Sequence, residues 1–170
     1  MEWEADPEKD FVKGFLGGWP QYDHLFVSIF DQVAPILREW KVTIIEGLDL
    51  TTLGTSFSGC FDVVILFAHW RGDAVEFFGG FADPDTFLQR VPNEFTGLID
   101  LCVCHPPELV RALLSRRPNC LIKFITTEAT PGFWLYFYLA LFKHLHDDND
   151  TYLGGLEKAV KSFIGEGRGR

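Results

Sequence analysis

No run of about 20 apolar residues occurs in this sequence, so no segment reads as a bilayer-spanning helix. The longest apolar stretch, Phe133–Phe142, is closed by Lys143 and His144. Signal-peptide features are missing as well: Met1-Glu2-Trp3-Glu4 is acidic where a secretory leader is basic. Positive charge is scarce. The 15 Lys and Arg residues face 24 Asp and Glu, a net charge of −9. That argues against the basic face that nucleic acids or anionic membrane surfaces require. Cysteine is sparse too. Cys60, Cys102, Cys104 and Cys120 fall short of a disulfide framework, and three of them lie in or beside strand-like runs, where a thiol acts as a small buried hydrophobe. A reducing, cytoplasmic setting is the expectation. Neither G-x-G-x-x-G nor G-x-x-x-x-G-K follows any strand-like run, so dinucleotide and P-loop chemistry is not expected. Internal repeats, low-complexity tracts and linkers are also lacking.

What the chain does carry is apolar and aromatic. Of its 170 residues, 47% are hydrophobic and 17 are Phe, enough for a real core in one domain spanning 1–170. Asp62–Trp70 and Gly97–His105 read as two buried strands, their centres FDVVILFA and LIDLCVC being nearly continuous apolar runs of the kind covered on both faces. Residues 1–22 are irregular. Asp23 opens a helix to about Trp40, which Pro35 should kink or restart. Lys41–Glu46 reads as a short β-branched strand, and Gly47–Gly59 as a loop with one helical turn. Ala74–Phe78, followed by Gly79-Gly80, suggests a small strand or hairpin, and Asp83-Pro84 opens a helix through Val91. Then come a helix over Pro106–Arg117, a strand over Cys120–Thr126, an aromatic helix over Gly132–His146, apolar almost all round and hence expected to be buried, and an amphipathic helix over Thr151–Ile164 before a frayed tail. Strands alternating with helices imply right-handed crossovers and a three-layer α-β-α sandwich with a mostly parallel sheet.

In open α/β sheets, sites form at the carboxyl ends of the strands. His69 and Cys104 occupy two such ends. A cysteine nucleophile needs a base or cationic partner that raises its thiolate fraction, and histidine is the usual supplier. The helix beginning near Pro106 would bring its unsatisfied N–H groups close to Cys104. Strand alternation sets Asp100, Cys102 and Cys104 on one face, with Cys104 at the accessible exit and Cys102 deeper in the core. The plain alternative is that both cysteines are core residues and His69 caps a loop.

At these residues the chain resembles the caspase-like cysteine peptidases, in particular their CHAT branch. That branch shows an apolar strand ending in His, a short β segment with acidic-Gly text, a helix, and a strand ending in a Ser-Ala-Cys type triplet. Here the matching text is Asp62–His69, Ala74–Gly80, Asp85–Val91 and Leu98–Cys104, with Leu121–Glu128, Phe133–Leu145 and Leu156–Phe163 downstream, about residues 41–164 in all. The resemblance implies a cysteine endopeptidase acting on a protein or peptide, with His69 as general base, Cys104 as nucleophile and Cys102 in the place of the family's small residue. Backbone N–H groups of Trp70, Arg71 and Gly72, and of Cys104, would hold the oxyanion. Asp100 and Asp73, with Glu76, are candidates for an acidic pocket that receives a basic side chain. Three features depart from the family: Trp70 stands where Gly usually follows the His, Pro106 and Pro107 lack amide donors after the Cys, and little before Asp23 resembles the first core strand. No cofactor or metal is implied, while a homodimer is; a regulatory protein partner is expected from the shortness of the chain, not from the resemblance.

Two rival readings stand beside the enzyme. One is a catalytically inactive caspase-like module that binds or regulates another protein, supported by Trp70 and by the aromatic residues Trp134, Tyr136 and Tyr138. The other is metal binding by His69, Cys102, Cys104 and His105, although C-x-C-H lacks the paired C-x-x-C spacing of structural zinc sites.

Overall fold

The computed structural model describes residues 23–46, 48–58, 61–77, 80–126 and 129–166. The expected irregular segment 1–22, Cys60, Phe78-Gly79 and the last four residues of the expected frayed tail lie outside them; Gly165 and Glu166 are helical. The fold is mixed α/β, built in two compact units: residues 45–126, and residues 23–44 with 129–166.

In the first unit, three strands form a parallel sheet in the order β1 (Val63–Phe67), β5 (Leu98–Cys104), β6 (Leu121–Ile125). β5 is central, and six of its seven residues are buried, as its unbroken apolar run requires. β1 is shallower, with only Leu66 buried. The sheet is pinned at its start by Gly97. Leu98 N donates to the Asp62 carbonyl at 2.8 Å, and a Cβ on Gly97 would collide with that oxygen and with the Phe95 ring.

The expected strand through Trp70 is broken at Ala68. His69–Arg71 forms β2 of a second, antiparallel sheet, paired with β3 (Ala74–Phe77), which pairs with β4 (Gly80–Ala82). The expectation of a mostly parallel sheet therefore holds for the first sheet, and the hairpin sheet departs from it. The cause is local: Gly72, with φ 67, takes the first central position of a two-residue loop, where type II′ hairpins place Gly.

Helix α2 (Leu50–Ser58) replaces the expected loop with one turn. Asp49 caps it, its carboxylate accepting from Thr52 N at 2.7 Å and Thr52 Oγ1 at 2.8 Å, and Leu53 and Phe57 turn inward. Helix α3 (Pro84–Leu88) begins on the Asp83 cap as expected but stops short of Val91. Arg117 donates to the Leu88 and Val91 carbonyls at 2.8 and 2.7 Å, satisfying the acceptors that further turns would have used. With α4 (Pro107–Arg116), these elements cover one face of the parallel sheet. Leu66, Ile99, Leu101 and Val103 meet Phe57, Phe87, Leu109 and Leu113 there, and Val75, Phe77 and Ala82 join from the hairpin. Phe57 packs edge-on to Phe95 and Phe87 with ring centroids 5.1 and 6.4 Å apart.

The second unit holds α1 (Asp23–Glu39), α5 (Pro131–Asp147) and α6 (Tyr152–Glu166). α1 runs through Pro35 as one helix and buries Ile29, Phe30, Val33, Ala34 and Leu37. It ends in a Schellman motif: Val42 N donates to the Leu37 carbonyl, Lys41 N to that of Arg38, and Lys41 takes φ 61. That ending removes Lys41 from the expected Lys41–Glu46 strand, and no described residue of that segment is in a strand. α5 is capped by Thr130 and buries Leu135, Phe137, Tyr138 and Leu141. Phe133 and Tyr136 are exposed, so the expected burial holds for one side of the helix and not for the side that carries these two rings.

Candidate functional site

The parallel pairing of β1 with β5 sets the site. Phe67 is in register with Cys102, and Ala68 N donates to the Cys102 carbonyl at 3.4 Å. His69 and Cys104 each lie two residues beyond that register pair, at the same carboxyl end of neighbouring strands, which run about 4.8 Å apart. Cys104 is half-buried, whereas Cys102 and Cys120 are buried.

The strand that delivers Cys104 is irregular at that point. Leu101 pairs with Phe124 and Cys104 with Ile125, so β5 advances three residues while β6 advances one. Such bulges bend a strand and re-aim a side chain, so strict alternation through Cys102 and Cys104 does not describe the strand exit. His105 follows with φ 48, a left-handed conformation that His adopts more readily than most residues, and the chain then turns into α4. The N-cap of α4 is Pro106, which supplies no side-chain hydrogen bond, and Pro107 opens the helix without an amide donor.

His69 begins β2 and is directly opposite Glu76 on β3. Cross-strand partners share a face, as do residues two apart, so His69, Arg71 and Glu76 lie on one side of the hairpin. Trp70 and its partner Val75 take the other side, toward the core. Arg71 Nη2 approaches Glu76 Oε2 at 3.5 Å. Burial pushes the His69 imidazole below the ordinary histidine range. The Glu76 carboxylate pulls it back up and the Arg71 guanidinium adds to the depression. A neutral imidazole is the form that accepts a proton.

Trp70 and Arg71, two of the expected oxyanion positions, lie in β2, and Gly72 serves the hairpin turn. Asp73, in the same turn, is exposed. Asp100 is fully buried, and its Oδ1 accepts from Lys123 Nζ at 2.7 Å across the β5–β6 register. Its negative charge is thus matched inside the sheet. Among the described residues, no group of three or more His, Cys, Asp or Glu side chains is gathered as a metal would need, and no helix is long and apolar enough to cross a membrane.

Placing Glu76 only among pocket acids missed its position opposite His69. The Gly72-Asp73 dipeptide carried the signal, because a two-residue loop there sets residue 69 against residue 76. Comparison of the chain with family models, with curated proteins and with solved structures finds no match.

Proposed function

We propose that the protein is a caspase-like, CHAT-type cysteine endopeptidase of the three-layer α-β-α class, using a His69–Cys104 dyad on a protein or peptide substrate. The observation that carries this reading is the parallel β1–β5 register, beyond whose last pair, Phe67 and Cys102, His69 and half-buried Cys104 each follow by two residues at the carboxyl end. The order of elements, from an apolar strand through a hairpin, a helix and a Cys-ending strand, agrees with the resemblance in the sequence.

In the reaction, neutral His69 takes the Cys104 thiol proton and the thiolate attacks the scissile carbonyl carbon. The resulting oxyanion is held by main-chain N–H groups around Trp70–Gly72 and at Cys104. As the intermediate collapses, the C–N bond breaks and the leaving amine receives the proton from His69. Water, deprotonated by His69, then hydrolyses the thioester and restores the thiol.

A second reading, an inactive caspase-like module that binds a regulatory partner or a second copy, is favoured by one feature. Trp70, in the position after the histidine, packs against the core instead of leaving the open main chain of a glycine. Both readings fit a cytoplasmic protein. The full chain is incubated with a proteome-derived peptide library, and new termini are read by mass spectrometry. Cleavage lost in both Cys104→Ala and His69→Ala supports the peptidase. Cleavage that survives Cys104→Ala refutes it, and no cleavage together with a stable partner captured by Cys104→Ala favours the module.

A further inference from the structure

Removing the Cys104 proton puts a positive charge on the His69 ring, and the hairpin already holds a carboxylate opposite that ring. Glu76 is not an ordinary surface acid. Its side chain is 18% exposed, and among the described residues its Oε2 is buried with no hydrogen-bond donor. Arg71 Nη2 stands off at 3.5 Å. A buried carboxylate oxygen that lacks a donor is costly, and an imidazolium N–H would satisfy it.

We propose that Glu76 is the positioning residue of the dyad, orienting the His69 ring and stabilising its protonated form, while Arg71 competes for the same carboxylate. The inference rests on the His69–Cys104 reading. The proton moves from Cys104 sulfur to the His69 ring, and Glu76 takes no part in the transfer. The charges on the hairpin act on the ring with opposite signs: Glu76 favours the imidazolium and Arg71 disfavours it. Burial disfavours it as well, so Glu76 offsets the environment at the step where the proton must be held.

The hairpin geometry makes the two neighbours a matched pair of controls. Glu76→Gln removes the charge and keeps the shape, Glu76→Asp shortens the reach by one methylene, and Arg71→Gln removes the competitor. Two quantities are followed in the full chain: the His69 ring-proton titration by NMR, assigned among the five histidines through His69→Gln, and the iodoacetamide labelling rate of Cys104 against pH by mass spectrometry. Glu76→Gln should lower the His69 midpoint and slow Cys104 labelling at pH 7 by about fivefold or more, with partial rescue in Glu76→Asp. Arg71→Gln should raise the midpoint, which keeps the inference testable if Glu76→Gln fails to fold.

A His69 midpoint unmoved in Glu76→Gln and in Arg71→Gln overturns the inference. So does labelling that depends on His69 but is indifferent to Glu76→Gln, and the dyad then stands without a third member. Labelling that His69→Ala leaves unchanged overturns the dyad itself, and Glu76's role with it.

Discussion

Replacing Lys123 with Met should destabilise the protein far more than replacing Lys123 and Asp100 together. Asp100 sits at the centre of β5 with no exposed surface, and Lys123 Nζ lies 2.7 Å from its carboxylate. At an effective dielectric constant of roughly 20, two unit charges at that separation attract by about 6 kcal/mol. Desolvation costs several kcal/mol for each ion, so the pair as a whole contributes little net stability. Removing the cation alone leaves the desolvation cost of Asp100 without its compensation, a loss of about 3–5 kcal/mol. That is a large part of the roughly 5–15 kcal/mol that holds a domain together. Exchanging both for apolar residues, Asp100→Leu with Lys123→Met, should fall within about 1 kcal/mol of the parent or exceed it. Urea unfolding of the parent, both single variants and the double variant gives the coupling directly from the midpoints, provided the slopes agree. A Lys123→Met cost below about 1 kcal/mol would refute the reasoning. So would a double variant as unstable as the worse single one.

Other residues give independent checks. Lys41 holds a left-handed conformation at the end of α1, so Lys41→Gly should stabilise the chain by about 0.5–1 kcal/mol, read from the shift of the thermal midpoint. A lower midpoint would mean that the Lys41 side chain contributes more than the strain costs. Gly97→Ala would press a methyl group into the Asp62 carbonyl and the Phe95 ring, and should cost about 1–3 kcal/mol or more by denaturant unfolding. Burial holds the folded His69 ring below its ordinary value of 6.5. Below neutral pH the unfolded state therefore binds a proton that the folded state still refuses, and stability falls as pH drops from the unfolded value toward the folded one. His69→Gln should flatten that slope between about pH 7.5 and 5.5, and an unchanged slope would assign the loss to other groups.

The strands and helices with long uninterrupted patterns were legible in the sequence. β5 was legible to within one residue at each end, because a strand covered on both faces has no polar register to confuse it. β6, α4, α5 and α6 came within a few residues, their ends marked by Pro, Gly or an Asn-Asp cluster. Local competition decided the failures. KVTIIE has strand propensity, yet the C-terminus of α1 claims Lys41 and Val42 for its orphan carbonyls. α2 is short and carries Thr and Gly, and its real signal was Asp49 followed by Leu50, Leu53 and Phe57 at helical spacing. The apolar run through Trp70 conceals a change of sheet at Ala68, because both sheets bury one face in the same core and hydrophobicity alone does not separate them. At the candidate site, the strand ends were legible and the cross-strand neighbours were not. Asp100 as a pocket acid and Glu76 opposite His69 differ in what stands across the sheet from each, and single-sequence periodicity carries no such pairing.

Whether His69 activates Cys104 is read most directly by the rate of Cys104 carbamidomethylation at pH 7. With limiting iodoacetamide and site-resolved mass spectrometry, Cys104 should react at least about tenfold faster than Cys102 or Cys120, and His69→Ala should remove that advantage. Equal and slow labelling of all four cysteines, or fast Cys104 labelling untouched by His69→Ala, would contradict it.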